Sequence, residues 1–241
     1  MESTTDILEK ALTKQVNSAA SALAGGNRKP KIKKGAIKKA YAEAWIDTVL
    51  LFAGETFNAL DIKEKSLKRL NNLKDFTDEE MKLWTERVQE HLDEHGGKRI
   101  TLIDGTTQDW VDRNVGNLLE AAARDGQGVA EAARNLRKEW GEIARFRAER
   151  IARTEIVAAS NFGTMEGATA TGLKMRKKWL HTPDERTRDE HRTEGGEDWI
   201  GLEKLFTLSD GSKLSQPGDF TNGAAADQII NCRCTILLEV V

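Results

Sequence analysis

Cys232 and Cys234 stand two positions apart, and His191 lies about forty residues before them. In an extended strand, side chains at i and i+2 leave the backbone on the same side. Two such cysteines cannot easily close an unstrained disulfide with each other. They can face one metal, because zinc takes cysteine sulfur and histidine nitrogen in a tetrahedron. His191, Cys232 and Cys234 would supply three ligands, with His181 or Asp184 as a fourth. A second reading has two reduced cysteines packed in or near a strand, with the histidine holding a turn. A third, a nucleophilic Cys–His pair, lacks an obvious orienting residue.

Glu155 is the next residue with chemical potential. At 100° per residue Ala144, Ala148, Ile151, Glu155, Ala159 and Phe162 share one helical stripe. A carboxylate on an apolar face must be paired or hydrogen-bonded, since burying it alone costs several kcal/mol. The readings open to it are an ion pair with a distant arginine, a catalytic acid or base, and exposure at the helix edge. Phe206, Gly211 and Pro217-Gly218-Asp219 are turn chemistry. A metal-dependent hydrolase or nuclease would gather His191, Asp184 and Glu155. The chain has no Gly-rich phosphate loop, no His-Glu-x-x-His and no spaced Asp pair to support one.

The formal net charge is -2, which gives no global pull towards nucleic acid. Charge is nevertheless concentrated. Between Asn27 and Lys39 stand Arg28, Lys29, Lys31, Lys33, Lys34, Lys38 and Lys39, with no acid among them. Such a block contacts phosphate or an acidic partner by counterion release, or is a solvated, flexible linker.

The elements that must position these residues are mostly helical. Only Pro30, Pro183 and Pro217 occur, leaving about 150 residues free of the strongest helix breaker. Ile7, Leu8, Ala11, Leu12 and Val16 give a weak amphipathic start, interrupted at residues 24–27. Tyr41, Trp45, Val49 and Phe52 predict a helix over 36–57. Thr77 caps the next, with acids in its first turn and Met81, Trp84, Val88 and Leu92 on one face. Gly96-Gly97 should stop that helix, and residues 106–109 should open another. After a turn at 125–128, helices are expected over 129–140 and 141–171. Residues 177–181 and the β-branched end after Cys234 read as strands.

This predicts an α+β fold, mainly α: a helical N-terminal two-thirds and a small C-terminal antiparallel β-containing unit. The expected segments are an N-terminal stretch and basic linker at 1–35, a partner-docking helical region at 36–97, and a domain at 98–241, helical to 172. No run of about 18 apolar residues predicts a membrane span. The start lacks a basic-then-apolar secretory pattern. Two cysteines make no disulfide framework, so a reducing cytosol, or a particle assembled there, is expected.

The ordered series is Ile151-Ala152-Arg153-Thr154-Glu155, Asn161, Lys178-Trp179, Asp184-x-Arg186-Thr187-Arg188-x-x-His191, Phe206, Pro217-Gly218-Asp219 and Asn231-Cys232-Arg233-Cys234. It resembles the Mu F-like domain of phage minor head, or head morphogenesis, proteins. The resemblance runs from about residue 147 to 236, and 105–140 is similar to its helical lead-in. Nothing in 1–94 takes part. The resemblance implies a low-copy, non-enzymatic protein of the phage head, assembled in the host cytoplasm. Its implied partners are the portal protein, other head proteins and packaged double-stranded DNA. Many members carry Cys-x-x-Cys where this chain has Arg188-x-x-His191, and a histidine where it has Ile229. Those versions look zinc-binding. A hydrogen-bonded cluster of Asp184, Arg186, His191 and Asn231 is the metal-free alternative. Some members continue into a toxin domain. With seven residues after Cys234, no such activity is expected.

Overall fold

The computed structural model describes residues 3–60, 77–194 and 198–241. Helices dominate: α1 Thr4–Ala24, α2 Lys38–Leu60, α3 Asp78–His91, α4 Gly97–Arg124 and α5 Val129–Ala170, then the short α6 Asp189–Glu194 and α7 Ala226–Ile229. The strands are β1 Met175–Leu180, β2 Ile200–Gly201, β3 Phe206–Thr207, β4 Lys213–Leu214 and β5 Thr235–Val240. The α+β, mainly α expectation holds. No described helix is long and apolar enough to cross a membrane.

Two compact units form, each from two stretches of chain: residues 1–42 with 96–152, and 43–95 with 153–241. Helices α2 and α5 contribute to both.

In the first unit Ser3 and Asp6 form a capping box that starts α1. Leu8, Leu12 and Val16 of α1 are buried, as are Val111, Val115 and Leu118 of α4. A buried polar link adds specificity, with the Gln15 side chain donating to Asp104. The basic segment is not a loose linker. Pro30, Ile32 and Ile37 are buried, and its backbone bonds to α4 through Gln108 and Asp104.

In the second unit Thr77 and Glu80 form a capping box for α3, as the sequence predicts. Trp45, Val49, Trp84 and Val88 are fully or almost fully buried. Two glycines allow α5 to meet α2 backbone to backbone. A Cβ on Gly163 would lie 2.7 Å from the Val49 carbonyl oxygen, and one on Gly167 would collide with that of Ala53. The sheet has the order β2-β1-β5, antiparallel, with Trp179 opposite Ile236. Strands β3 and β4 pair separately. Trp179, Phe206, Leu208, Leu214, Cys232, Cys234 and Ile236 make the core beneath.

Three boundaries differ from the sequence reading. Gly96-Gly97 stops nothing: a π-helical turn, Leu92–Gly96, carries α3 into α4, and Gly96 itself is helical. Residues 106–109 lie within α4, where Thr106 and Thr107 serve tertiary packing by accepting from Arg147. No break occurs at 140/141. Glycine costs a helix interior about 1 kcal/mol, less than the gain from burying Trp140 and Ala144 on the continuous helix.

Candidate functional site

The sequence-predicted residues that meet do so in the second unit, along the C-terminal half of α5 and around β5. Asn161 of α5 is 1% exposed. Its Nδ2 donates to the carbonyls of Pro217 and Cys234, both at 3.0 Å, and its Oδ1 accepts from Thr235 Oγ1 at 2.9 Å. Nearly two turns earlier, Thr154 Oγ1 accepts from the Asn231 backbone N–H at 3.1 Å. That bond holds Asn231 in the left-handed region, φ 60°, which asparagine tolerates better than most residues. Glu155 is buried and accepts the Trp45 indole N–H at 3.1 Å. The exposed-edge reading of Glu155 is therefore wrong. Arg153 is exposed.

Asp184 takes a two-pronged grip from Arg233, at 2.5 and 2.6 Å, and accepts the Arg186 backbone N–H at 3.0 Å. The Arg233 guanidinium holds this carboxyl well below the usual carboxylate range. The Arg186 side chain is exposed and stands 3.7 Å from it. Arg188 donates to the Ile230 carbonyl at 2.6 Å, so it ties the same two loops without being a ligand.

His191, on α6, is 1% exposed. Its Nδ1 lies 3.4 Å from the Cys234 sulfur and 3.7 Å from that of Cys232. The ring meets Trp179 edge-on, centroids 5.2 Å apart. Both cysteines are buried and free. Cys232 donates to Cys234, which pulls the Cys234 thiol well down, helped by His191 and opposed by burial. The same bond, with burial, pushes Cys232 up. The ligand atoms of His191, Cys232 and Cys234 all lie within 4.8 Å of one another. A zinc tetrahedron with bonds of about 2.3 Å to sulfur and 2.0–2.1 Å to nitrogen has N···S edges of about 3.6 Å. The observed separations bracket that edge, so the three residues fit three corners. Neither His181 nor Asp184 belongs to the cluster: Arg233 engages Asp184, and His181 is half-buried with its Nδ1 unbonded among the described residues. The metal-free cluster is not assembled as expected. Asp184 takes Arg233 and Arg186, His191 joins the cysteines, and Asn231 joins Thr154.

Some residues escaped the sequence reading. Arg233 sits between the cysteines, where alternation points it away from them. Asp219 is more than a turn former. Burial pushes its carboxyl up, but five bonds, from Ser215, Thr221 and Asn222, outweigh that and hold it below its ordinary value. Lys177 is fully buried on β1, donates to the Ser215 carbonyl at 2.7 Å, and is lowered by burial to about 8. His91 lies among Trp45, Phe162, Phe220 and His95. Its signal was present, since Trp84, Val88, His91 and His95 follow helical spacing.

Residues 113–237, just over half of the chain, match the family model described as Phage Mu protein F like protein. Over 148 residues, 60% of this chain, there is 33% identity to the NAD(+)–arginine ADP-ribosyltransferase EFV of Enterococcus faecalis. That match takes in 29% of the relative, so the chain spans under a third of its length. No solved structure matches.

Proposed function

From membership of the Phage Mu protein F like family, a head morphogenesis family to which this chain belongs, we propose that it is a minor head protein that assembles with the portal and other head proteins in the virion. One observation carries the non-enzymatic part of this reading. Family-motif side chains that look chemical are spent on the chain's own backbone and loops: Asn161 on Pro217 and Cys234, Thr154 on Asn231, Asp184 on Arg233. Such groups brace a module rather than face a substrate.

Co-expression with the portal protein of the same phage, followed by size-exclusion chromatography and native mass spectrometry, is the test. A complex of fixed stoichiometry is expected. A well-folded chain that stays apart from the portal at low salt would sink the reading. The transferase named in the Enterococcus faecalis relative gives a second assay. With labelled NAD(+) and an arginine-rich acceptor, no transfer is expected, and transfer would replace the structural role by an enzymatic one.

His191, Cys232 and Cys234 are proposed as three corners of a structural zinc site. Bound there, the metal would tie α6 to the start of β5 and neutralise thiolate charge. Protein purified without added metal is expected to carry one zinc per chain and to lose thermal stability on chelation. Metal-free protein with unchanged melting behaviour would leave the sulfur–imidazole contacts as packing alone.

A further inference from the structure

We infer that residues 28–39 form a rigid cationic ridge that binds the phosphate backbone of double-stranded DNA without reading sequence. The inference rests on the first unit alone and does not depend on portal binding.

The segment is clamped rather than loose. The Gln108 side-chain amide acts like a neighbouring strand: Oε1 accepts the Ile32 N–H at 2.9 Å, and Nε2 donates to the Pro30 carbonyl at 3.2 Å. Asp104 accepts the Gly35 N–H at 2.9 Å and is itself held by Gln15. Gly35 turns the chain at φ 71°, a region that suits glycine. Pro30, Ile32 and Ile37 point inward and are buried. Every cation of the segment is exposed: Arg28, Lys29, Lys31, Lys33, Lys34, Lys38 and Lys39.

Three features favour duplex DNA over an acidic protein. First, the apolar side chains here face inward, so the ridge offers none of the aromatic or aliphatic anchors that protein interfaces use. Second, burial alternates from Pro30 to Lys33 as in an extended run. Lys31 and Lys33 are then roughly 6.6 Å apart, close enough for both ammonium groups to meet one strand of B-DNA, whose phosphates advance ~3.4 Å each along the helix axis. Third, Lys38 and Lys39 occupy the first turn of α2, where no acid stands. The helix dipole disfavours cations there and favours a bound anion. A clamped backbone loses less entropy when the row of charges docks.

The test is fluorescence anisotropy of a labelled duplex of random sequence, about 30 base pairs long, titrated with the whole chain between about 50 and 200 mM NaCl. Wild type should bind with a steep salt dependence. The variant Lys31→Gln/Lys33→Gln/Lys34→Gln should bind about tenfold or more weakly at the lowest salt. Its log–log salt slope should fall by about 0.9 for each phosphate that the variant no longer neutralises. Gln108→Ala keeps every charge but unclamps the ridge. It should weaken binding several-fold with the slope retained, and circular dichroism checks that it folds. No wild-type binding at the lowest salt, or a triple variant that binds like wild type, overturns the inference. Polyglutamate bound as tightly as the duplex overturns the choice of partner. Unchanged affinity in a folded Gln108→Ala overturns the role of the clamp.

Discussion

At the scale of single residues, the second unit depends on polar side chains that have one geometry available to them. Asn161 satisfies two carbonyls and one hydroxyl from within α5. Asn161→Ala removes the partner of all three and leaves the carbonyls of buried Pro217 and Cys234 unsatisfied, at about 1–3 kcal/mol for each unsatisfied group. A urea-unfolding midpoint well below wild type is expected, with the far-ultraviolet spectrum kept. His91 makes a different kind of prediction. It is half-buried, its buried Nε2 has no hydrogen-bond partner among the described residues, and it stacks on Trp45 with centroids 5.0 Å apart. Burial and the neighbouring His95 lower it to about 4, against the pull of Asp219. The folded value lies below the ordinary 6.5, so the unfolded chain binds the extra proton. Stability is complete above pH 6.5, falls as pH drops towards 4, and then levels off. His91→Phe keeps an aromatic ring and removes the proton. Thermal melts at about pH 7.5 and 5.0 should show the variant escaping about 2 kcal/mol of the wild type's acid destabilisation. Parallel pH curves for the two proteins would sink this account.

At the scale of elements, the contact of α5 with α2 is set by Gly163 and Gly167, and its consequences separate from those of helix propensity. Gly167→Ala drives a methyl into the Ala53 carbonyl, and Gly163→Ala into that of Val49. Overpacking of this kind costs typically about 1–3 kcal/mol. Gly141 lies in the same helix with nothing within 4 Å of its Cβ position. Gly141→Ala should therefore stabilise by about 0.5–1 kcal/mol, and opposite shifts in melting temperature are the check. The sequence shows why such helices exist but not where they end. Thr77 with Glu80, the stripe of Trp84 and Val88, and the alternation around Trp179 were legible because local periodicity and capping determine them. The continuity of α3 into α4, and of α5 through Gly141, was not legible. There, local glycine signals yield to side chains buried from far along the chain. The same division holds at the candidate site. The motif named Asn161, Asp184 and His191, whereas the Asp184–Arg233 grip spans 49 positions and leaves no local trace.

At the scale of the whole molecule, the organisation of the chain and the extent of the family match do not coincide. The match covers 113–237, yet each compact unit draws on residues before position 96. In the second unit α5 is completed by α2: Trp45 donates to Glu155, and the α2 backbone receives Gly163 and Gly167. In the first unit, Gln15 of α1 satisfies buried Asp104 of α4. A fragment of residues 98–241 would keep the motif and lose these partners. Glu155 would lose its indole donor, Asp104 its amide, and the apolar faces around Ala159 and Val111 the covering that buries them. Exposed apolar surface and buried polar groups left unpaired both act against folding. The fragment is expected to aggregate, or to bind a hydrophobic dye with weak near-ultraviolet dichroism, whereas the full chain melts cooperatively. A fragment that is monomeric and melts cooperatively near the temperature of the full chain would show that the motif-bearing half folds independently. The N-terminal helices would then be an attachment to it. The expected failure would mean that helices outside the family match complete the cores of both units.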